Sequence, residues 1–214
     1  MPLSARPQRP SLLSRRSIAA ACIVLPAIWI GPRAQPAPAH RLTPRQTEGP
    51  FYPLQLPRDQ DANLLENGAL RYDKGEPVWL EGSVRNRAGE PLAGARVEIW
   101  QCDVNGHYDH PGDGARADSA FQGFGSVLAD TQGRYRFRTI RPVAYRGRTP
   151  HIHVKVRQGG RELLTTQLYV QGDPGNANDF LWRNLNGSDR DALTVAFEPV
   201  SDGLIARFPL VVAA

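Results

Sequence analysis

Gly133-Arg134-Tyr135-Arg136-Phe137-Arg138-Thr139 is the stretch that indicates the fold most clearly, because apolar and basic side chains alternate strictly along it. Successive side chains of a β-strand point to opposite faces of a sheet, so Tyr135 and Phe137 share one face and the three arginines share the other. The alternation predicts a half-buried strand in which Tyr135 and Phe137 belong to the core.

Similar short runs of Val, Ile, Tyr, Phe and Trp, separated by clusters of Gly, Asn and Asp, follow one another from Thr43 onward. They predict further strands at Val78–Arg85, Ala95–Gln101, His151–Val156, Leu163–Val170, Thr194–Phe197 and Ala206–Val212. About seven short strands with frequent turns are typical of two packed sheets. The sequence therefore predicts an all-β fold over residues 40–214, a two-sheet antiparallel β-sandwich with long active-site loops at 103–131 and 171–193.

Residues 1–39 have the composition of a cleaved export signal. The twin-arginine pattern Ser14-Arg15-Arg16-Ser17-Ile18 precedes an apolar run from Ile18 to Ile30, and Ala37-Pro38-Ala39 has the small residues of a cleavage site. The apolar run is broken by Pro26 and is shorter than the about 20 residues that span a bilayer. We therefore expect an exported protein, periplasmic or secreted through a twin-arginine route, with no membrane anchor after cleavage.

The excess of basic residues lies in the same leader. The whole chain has 26 Lys and Arg and 21 Asp and Glu. Five of the arginines and none of the acidic residues fall within residues 1–39, so the predicted domain is neutral overall. A nucleic-acid-binding domain usually shows a basic patch, and we expect no nucleic-acid partner. Cys102 is left alone in the mature chain and is interpreted as a small packing residue.

His151-Ile152-His153 is the strongest single indication of a functional site. Within the predicted strand the two histidines and Lys155 share one face, and the apolar residues between them share the other. Side chains at i and i+2 lie about 6.5–7 Å apart along a strand, so the two imidazoles can bind one metal ion. Two histidines on a half-exposed strand would give the same pattern, and the tripeptide alone leaves both interpretations open.

Two tyrosines accompany the histidines. Tyr145 shortly precedes them, and Tyr108 lies in a polar loop, where a tyrosine is more often a partly exposed aromatic residue. His107 and His110 flank Tyr108 and are interpreted as loop residues that contact a pocket at most.

Taken together, these stretches resemble the intradiol ring-cleavage dioxygenases, the family of protocatechuate 3,4-dioxygenase and catechol 1,2-dioxygenase. The matching motifs run in order between Thr43 and Asp173. They are Thr47-Glu48-Gly49-Pro50-Phe51-Tyr52-Pro53, Gly82-Ser83-Val84, Pro91-Leu92-Ala93-Gly94-Ala95, Val97-Glu98-Ile99-Trp100-Gln101, Asn105-Gly106-His107-Tyr108, Asp130-Thr131-Gln132-Gly133-Arg134-Tyr135, Arg148-Thr149-Pro150-His151-Ile152-His153 and Thr165-Thr166-Gln167-Leu168-Tyr169. The glycine-rich turn motifs alone would also fit a transthyretin-like carrier.

The resemblance implies an enzyme that splits a catechol-type ring with dioxygen at a non-haem Fe(III) centre and gives a muconate-type product. The positions that match the iron ligands are Tyr108, Tyr145, His151 and His153. Those that match substrate-binding positions are Pro50, Arg148 and Gln167. Tyr145 would leave the metal and take up a substrate proton, Arg148 would stabilise negative charge on the substrate, and Gln167 would offer hydrogen bonds.

The charges of this ligand set support iron independently. Two phenolates, two neutral imidazoles and a hydroxide around Fe(III) sum to zero, and a neutral site costs far less to bury than a bare cation. A tyrosine ordinarily loses its proton near pH 10. A bound trivalent cation stabilises the phenolate and lowers that pKa.

Two features depart from the family pattern. Only Arg146 and Gly147 separate Tyr145 from Arg148, whereas related enzymes often carry a longer loop, so we expect a more open pocket and a broader or shifted choice of substrate. No counterpart of the helical dimerisation region of catechol 1,2-dioxygenases is found, and the chain looks more like the protocatechuate branch, which is built from paired subunits. Homo- and hetero-oligomers both stay open.

Two other functions fit parts of the pattern. One is a non-catalytic β-sandwich carrier or binding module, and the other is a copper or zinc site that uses only the two histidines. Two weaker signals are set aside: Gly123–Leu128 is interpreted as a turn because it lacks the third glycine of a dinucleotide loop. The carboxylates of the last loop match no calcium motif and are interpreted as solvated, namely Asp173, Asp179, Asp189 and Asp191.

Overall fold

The computed structural model describes residues 39–214, so the predicted export signal lies outside the described residues except for Ala39. In chain order the elements are β1 (Glu66–Asn67), β2 (Leu70–Arg71), β3 (Pro77–Asn86), β4 (Arg96–Trp100), β5 (Phe124–Leu128), β6 (Arg134–Ile140), β7 (His151–Gln158), β8 (Arg161–Val170), α1 (Phe180–Arg183), α2 (Gly187–Leu193), β9 (Thr194–Val195), β10 (Phe197–Val200), β11 (Gly203–Arg207) and β12 (Leu210–Val212). Single 3₁₀ turns cover Pro111–Asp113 and Pro174–Asn178. Neither helix in this part of the chain has the length and apolar character that crossing a membrane requires.

Two five-stranded sheets form the body of the domain. In one, the long strand β3 pairs with β6 on one side and with β11 and β12 on the other, and β10 follows β11. The other has the order β5-β4-β7-β8-β9. The predicted all-β two-sheet sandwich is confirmed. The sheets are mixed, because β3 runs parallel to β11 and β12, and β8 runs parallel to β9.

The core lies between the inward faces of the two sheets. Tyr135 and Phe137 of β6 are buried there, as their alternation with arginines predicts. The opposing sheet contributes Ile152, Val154 and Val156 of β7, all fully buried. The period-two pattern therefore identifies the core faces of both sheets correctly.

The outer face of β7 is also buried, unlike that of an ordinary surface strand. The segment 44–53 crosses β7 and β8 on this side. The backbone N–H of Gln46 donates to the Thr165 carbonyl at 2.9 Å, and the side chain of Gln167 donates to the Thr47 carbonyl at 2.9 Å. Because this segment covers the sheet, side chains on the outer face of β7 are withdrawn from water.

Strand β5 corrects one sequence interpretation. Gly123–Leu128 is predicted as a turn, but Phe124–Leu128 pairs with β4 along its whole length. Gly125 is a strand residue here because another segment approaches closely. A Cβ at this position would lie 2.6 Å from Leu64 Cδ1 and 2.8 Å from the carbonyl oxygen of Asp61. A glycine within a strand often marks such an approach.

A glycine in β3 gives a direct test of this packing. A Cβ at Gly82 would overlap the carbonyl oxygen of Phe208 and lie 2.8 Å from the Tyr135 hydroxyl. We expect Gly82→Ala to lower the free energy of unfolding by about 1–3 kcal/mol, since a packed core has no room for an added methyl group. Gly187→Ala at the start of α2, where nothing lies within 4 Å, is the control and should be neutral or slightly stabilising. Urea unfolding measures both, and equal stabilities would contradict the prediction.

Candidate metal centre

The two histidines of β7 face each other on the covered side of the sheet. Each is about 1 % exposed, and their Nε2 atoms are 3.2 Å apart. The Nδ1–H of His151 donates to the Thr149 carbonyl at 2.7 Å. Because a carbonyl only accepts, this bond leaves a lone pair on His151 Nε2, which faces His153.

Both tyrosines lie against this pair. The ring of Tyr108 is 5.0 Å from that of Tyr145 and 6.1 Å from that of His153, and the ring of Tyr145 is 5.4 Å from that of His151. Tyr108 is 2 % exposed, so the interpretation of it as a partly exposed loop residue is wrong. The structure thus brings together the four residues that the family pattern assigns to iron.

The loop geometry explains how the tyrosines reach the histidines. Gly106 has a positive φ of 78°, and a Cβ there would lie 3.2 Å from the Cβ of Tyr145. Only glycine permits this close approach of the Tyr108 loop to the Tyr145 segment. Tyr145 itself begins a two-residue turn: its N–H donates to the Arg148 carbonyl at 3.2 Å, and the Arg148 N–H donates back at 2.7 Å. Tyr145 and Arg148 are therefore held opposite each other.

The protonation states suit a cation. Burial, followed by the charge of Arg148, lowers the pKa of His151 to about 4. Burial, His151 and Arg148 lower the pKa of His153 well below its ordinary value. Burial and the nearby Tyr145 raise the pKa of Tyr108 far above its ordinary value. Burial also raises the pKa of Tyr145, although Tyr108 and Arg148 oppose this. Without a cation the four groups are neutral, and the histidines are already in the form that binds metal.

The donor set fits a ferric ion. The Tyr108 hydroxyl is buried and forms no hydrogen bond within the described residues. Because burying an unpaired hydroxyl is costly, this oxygen is suited to a ligand role. Two facing imidazole nitrogens and two phenol oxygens are nitrogen and oxygen donors of the kind that iron accepts. Across residues 39–214, no three His, Cys, Asp or Glu side chains gather into a metal-binding group. A metal at the histidine pair would take its further protein ligands from the tyrosines.

Arg148 and Gln167 lie beside the same centre and contact each other. The Arg148 Nη2 donates to Gln167 Oε1 at 2.7 Å, and the Arg148 Nε donates to Asp179 Oδ2 at 2.7 Å. Gln167 pairs with His153 across β7 and β8. Both predicted substrate contacts are thus held in fixed orientations next to the candidate metal ligands.

Asp179 is buried, whereas the sequence predicts a solvated side chain. The interpretation of it as a solvated loop carboxylate is wrong, because it is 0 % exposed. It accepts hydrogen bonds from the backbone N–H groups of Thr149, Leu181 and Trp182 as well as from Arg148. Burial alone would raise the pKa of Asp179, but these hydrogen bonds and the charge of Arg148 lower it overall. The N-cap spacing to Leu181 and Trp182 is the signal that could have identified it.

Trp100 and Lys155 support His153 from the other side. The indole ring stacks on the imidazole with centroids 4.7 Å apart and an angle of 10°. Lys155, which the strand pattern places on the histidine face, is 3 % exposed. It forms an ion pair with Glu48, and its ammonium lies 3.6 Å from the centre of the Tyr52 ring. The stacking of Trp100 restricts the plane of the His153 ring.

Pro50 is the predicted site residue that the structure places least firmly. It is exposed, whereas its neighbours reach the site: a Cβ on Gly49 would lie 3.3 Å from His153, and the Phe51 ring stacks on Tyr108 at 4.7 Å. A cavity of about 350 Å³ lies beyond Phe51 and Tyr108. Its lining includes Tyr108 and the buried His110. The other three candidate ligands, Tyr145, His151 and His153, do not line it.

Comparisons with known proteins show the family of the chain. A family model described as a dioxygenase matches residues 47–208, a range that holds every candidate site residue. The chain belongs to the intradiol ring-cleavage dioxygenase family. Among its relatives, the catechol 1,2-dioxygenase of Acinetobacter baylyi is 33% identical over 169 residues, which are 71% of this chain and 53% of that protein. The beta chain of protocatechuate 3,4-dioxygenase from Burkholderia cepacia is 35% identical over 154 residues, 66% of this chain and 63% of that one.

One solved structure covers the same extent as the described domain. It is the dioxygenase domain of a fusion with a carbohydrate-binding protein from Streptomyces sp. SirexAA-E, with a TM-score of 0.65 and 33% identity, and the match covers 81% of this chain and 99% of that one. In contrast, this intradiol family member spans about half the length of the catechol 1,2-dioxygenases that it matches, 53% and 50% in two cases.

Proposed function

We propose that the protein is a non-haem Fe(III)-dependent dioxygenase that cleaves a catechol-type ring between its two hydroxylated carbons and gives a muconate-type product. The observation that carries this proposal is the convergence of Tyr108, Tyr145, His151 and His153 on one buried point, with the two Nε2 atoms 3.2 Å apart. The names of the relatives, which act on catechol, protocatechuate and hydroxyquinol, support this class of substrate.

The chain would hold the metal through the two imidazole Nε2 atoms and the two tyrosine oxygens. Ferric iron held there would supply a Lewis acid toward the oxygens of a catechol-type substrate. The protein contributes by excluding water: the segment 44–53 covers β7, and Phe51 packs on Tyr108 at 4.7 Å. Exclusion of water strengthens every electrostatic interaction in the site.

Tyr145 is suited to accept a substrate proton. It is half-buried, whereas Tyr108 is buried. It also lies at a tight turn beside Arg148, the residue proposed to contact the substrate. Burial raises its pKa, so its oxygen favours the protonated form once it is free of a cation. Tyr145 Oη would receive a catechol proton as the substrate binds, and the total charge of the site would stay constant.

Arg148 and Gln167 would orient the substrate. Asp179 fixes the guanidinium through its Nε, so the remaining N–H groups keep one direction. A positive charge held in this way stabilises negative charge on the substrate without reorganisation during the reaction. The Gln167 amide is fixed by Arg148 on its oxygen and by the Thr47 carbonyl on its nitrogen.

The test uses protein reconstituted with iron. Two tyrosinate ligands should give a red-brown colour from charge transfer. Anaerobic titration with catechol, protocatechuate and hydroxyquinol should shift this band, and admission of oxygen should return it to its original position with formation of a ring-opened acid. A folded, iron-loaded protein that stays colourless and inactive would refute the proposal. Binding of catechols without turnover would favour a carrier, and copper or zinc at the site in metal analysis would favour the two-histidine alternative.

Arg148→Lys tests whether Arg148 orients the substrate without taking part in metal binding. Lysine keeps a positive charge beside Asp179, but it lacks the planar guanidinium that donates hydrogen bonds to Asp179 and to Gln167 at the same time. We expect kcat to fall by about 100-fold, the order found for loss of one fixed electrostatic donor, while the visible band of the iron form is retained. Steady-state kinetics and absorption spectra measure the two effects. A variant with full kcat would contradict the role of Arg148.

We propose in addition that the protein is exported by the twin-arginine route. The proposal is supported by Arg15 and Arg16 before the apolar run Ile18–Ile30, a region outside the described residues. Replacement of both arginines by lysine should retain the protein in the cytoplasm, as measured by cell fractionation. Export of the variant at the original level would contradict this proposal.

A further inference from the structure

Asp113 lies between the two segments that carry the tyrosines. It ends the 3₁₀ turn Pro111–Asp113 and is 2 % exposed. Its Oδ2 accepts the backbone N–H of Tyr108 at 2.9 Å. Its Oδ1 forms an ion pair with the guanidinium of Arg146, the residue that follows Tyr145. One buried carboxylate therefore connects the backbone of the Tyr108 loop to the turn that begins at Tyr145.

The backbone of Arg146 indicates that this connection has a cost. Arg146 has a φ of 44°, and the following Gly147 has a φ of 78°. Two-residue turns with positive φ at both positions favour Asn or Gly at the first position, because a larger side chain is strained there. Such strain persists where surrounding contacts hold the residue in place. The ion pair with Asp113 is a contact that offsets the strain.

A second cation, Arg116, contacts the same carboxylate but does not connect it to the turn that begins at Tyr145. Arg116 Nη2 lies 3.4 Å from Asp113 Oδ1, and Arg116 Nε donates to the Asp113 carbonyl at 3.1 Å. Arg116 belongs to the same loop as Asp113 and makes no hydrogen bond to the Tyr145 turn within the described residues. It provides a matched control, since its removal takes a positive charge from Asp113 and leaves the connection to Tyr145 intact.

We propose that the Asp113–Arg146 ion pair is a positioning device that fixes the spacing of the Tyr108 and Tyr145 oxygens at the metal centre. It acts through the backbone of both tyrosines. The inference rests on the proposed function, because it treats both tyrosines as iron ligands. The rings of Tyr108 and His151 also contact Tyr145, but the ion pair joins its turn to the same carboxylate that accepts the Tyr108 N–H.

Arg146→Asn is the decisive variant. Asparagine suits the positive φ of this turn, so the backbone conformation is retained while the guanidinium is removed. The iron affinity should fall by about tenfold, in the range found when an outer partner of a metal ligand is lost, and the tyrosinate band should shift or weaken. Arg146→Lys should restore both in part, and Arg116→Gln should leave both unchanged. Asp113→Asn keeps an acceptor for Tyr108 and should resemble Arg146→Asn.

Hydrogen exchange of the iron-free protein provides a readout that does not involve the metal. Exchange should accelerate in both 107–110 and 145–148 in Arg146→Asn, and in neither segment in Arg116→Gln. Combining Arg146→Asn with Asp113→Asn should add little to either single change, because both remove the same interaction.

The outcomes are distinguishable. A wild-type iron form without a tyrosinate band refutes the proposed function. A wild-type band that is unchanged in Arg146→Asn, or that is altered equally in Arg116→Gln, refutes the positioning role whatever the exchange rates are. Should Arg146→Asn fail to fold, the comparison of Asp113→Asn with Arg116→Gln still decides, and an unaltered band in both would overturn the inference.

Discussion

Tyr108→Phe is expected to weaken and shift the visible band of the iron form, and to weaken iron binding by more than the about 100-fold that loss of an outer partner costs. The substitution removes one of the proposed anionic ligands and leaves the ring packing on Phe51 and Tyr145 in place. Because the Tyr108 hydroxyl forms no hydrogen bond within the described residues, the iron-free protein should keep its stability or gain about 1 kcal/mol. Iron titration and thermal unfolding of the iron-free form measure the two effects.

Tyr135→Phe is the matched control. Its hydroxyl is also buried, but it donates to the Phe208 carbonyl in the core between the sheets. Loss of that hydrogen bond should cost about 1 kcal/mol of stability, with the iron band unchanged. Tyr108→Phe should thus change the iron centre without loss of stability, whereas Tyr135→Phe should lower the stability without changing the iron centre. An intact band in iron-loaded Tyr108→Phe would remove Tyr108 from the ligand set and would require a different centre.

Asp179→Ala is expected to have the largest effect on the fold itself, a loss of about 3–5 kcal/mol in the free energy of unfolding. The substitution leaves Arg148 without its ion-pair partner in a nearly buried position and removes the acceptor for the N–H of Thr149. It also removes the N-cap of α1. A loss of this size would unfold many domains near physiological temperature, since total stability is commonly about 5–15 kcal/mol.

Asp191→Ala, in the neighbouring helix α2, is the control. Asp191 is exposed, and surface substitutions of this kind usually change stability by less than about 0.5 kcal/mol. Asp179→Asn should fall between the two, because the amide oxygen still caps α1 while the charge beside Arg148 is lost. Urea unfolding of the iron-free proteins ranks the three variants. Equal stabilities of Asp179→Ala and Asp191→Ala would show that Asp179 is solvated after all.

The sequence was sufficient for the strands with one apolar face. Tyr135 and Phe137 were recognised as core residues, and the common face of His151 and His153 followed from their spacing on β7. Only residues two positions apart are needed for such an inference, because the side-chain direction of a strand repeats every two residues. The family motifs named the ligand candidates, whose roles stay predictions until iron binding is measured.

The sequence was insufficient where remote segments meet. Pro209 interrupts the predicted strand Ala206–Val212, which divides into β11 and β12, as expected for a residue without an N–H group. The strand β5 was missed because Gly125 looks like a turn residue until Leu64 is seen packed against it. At β5 a contact with a segment distant in the chain decides the structure, whereas at Pro209 the missing N–H does.

For this protein, the residue order alone determined the all-β class and the core faces, and the resemblance to the family predicted the set of metal ligands. Only the tertiary structure decided that the tyrosine loop is buried, that segment 44–53 closes the histidine face, and that Asp179 and Asp113 lie inside the domain. The physical reason is that the direction of a side chain is a local property of the backbone, whereas its burial and its ion-pair partners depend on which distant segments fold against it.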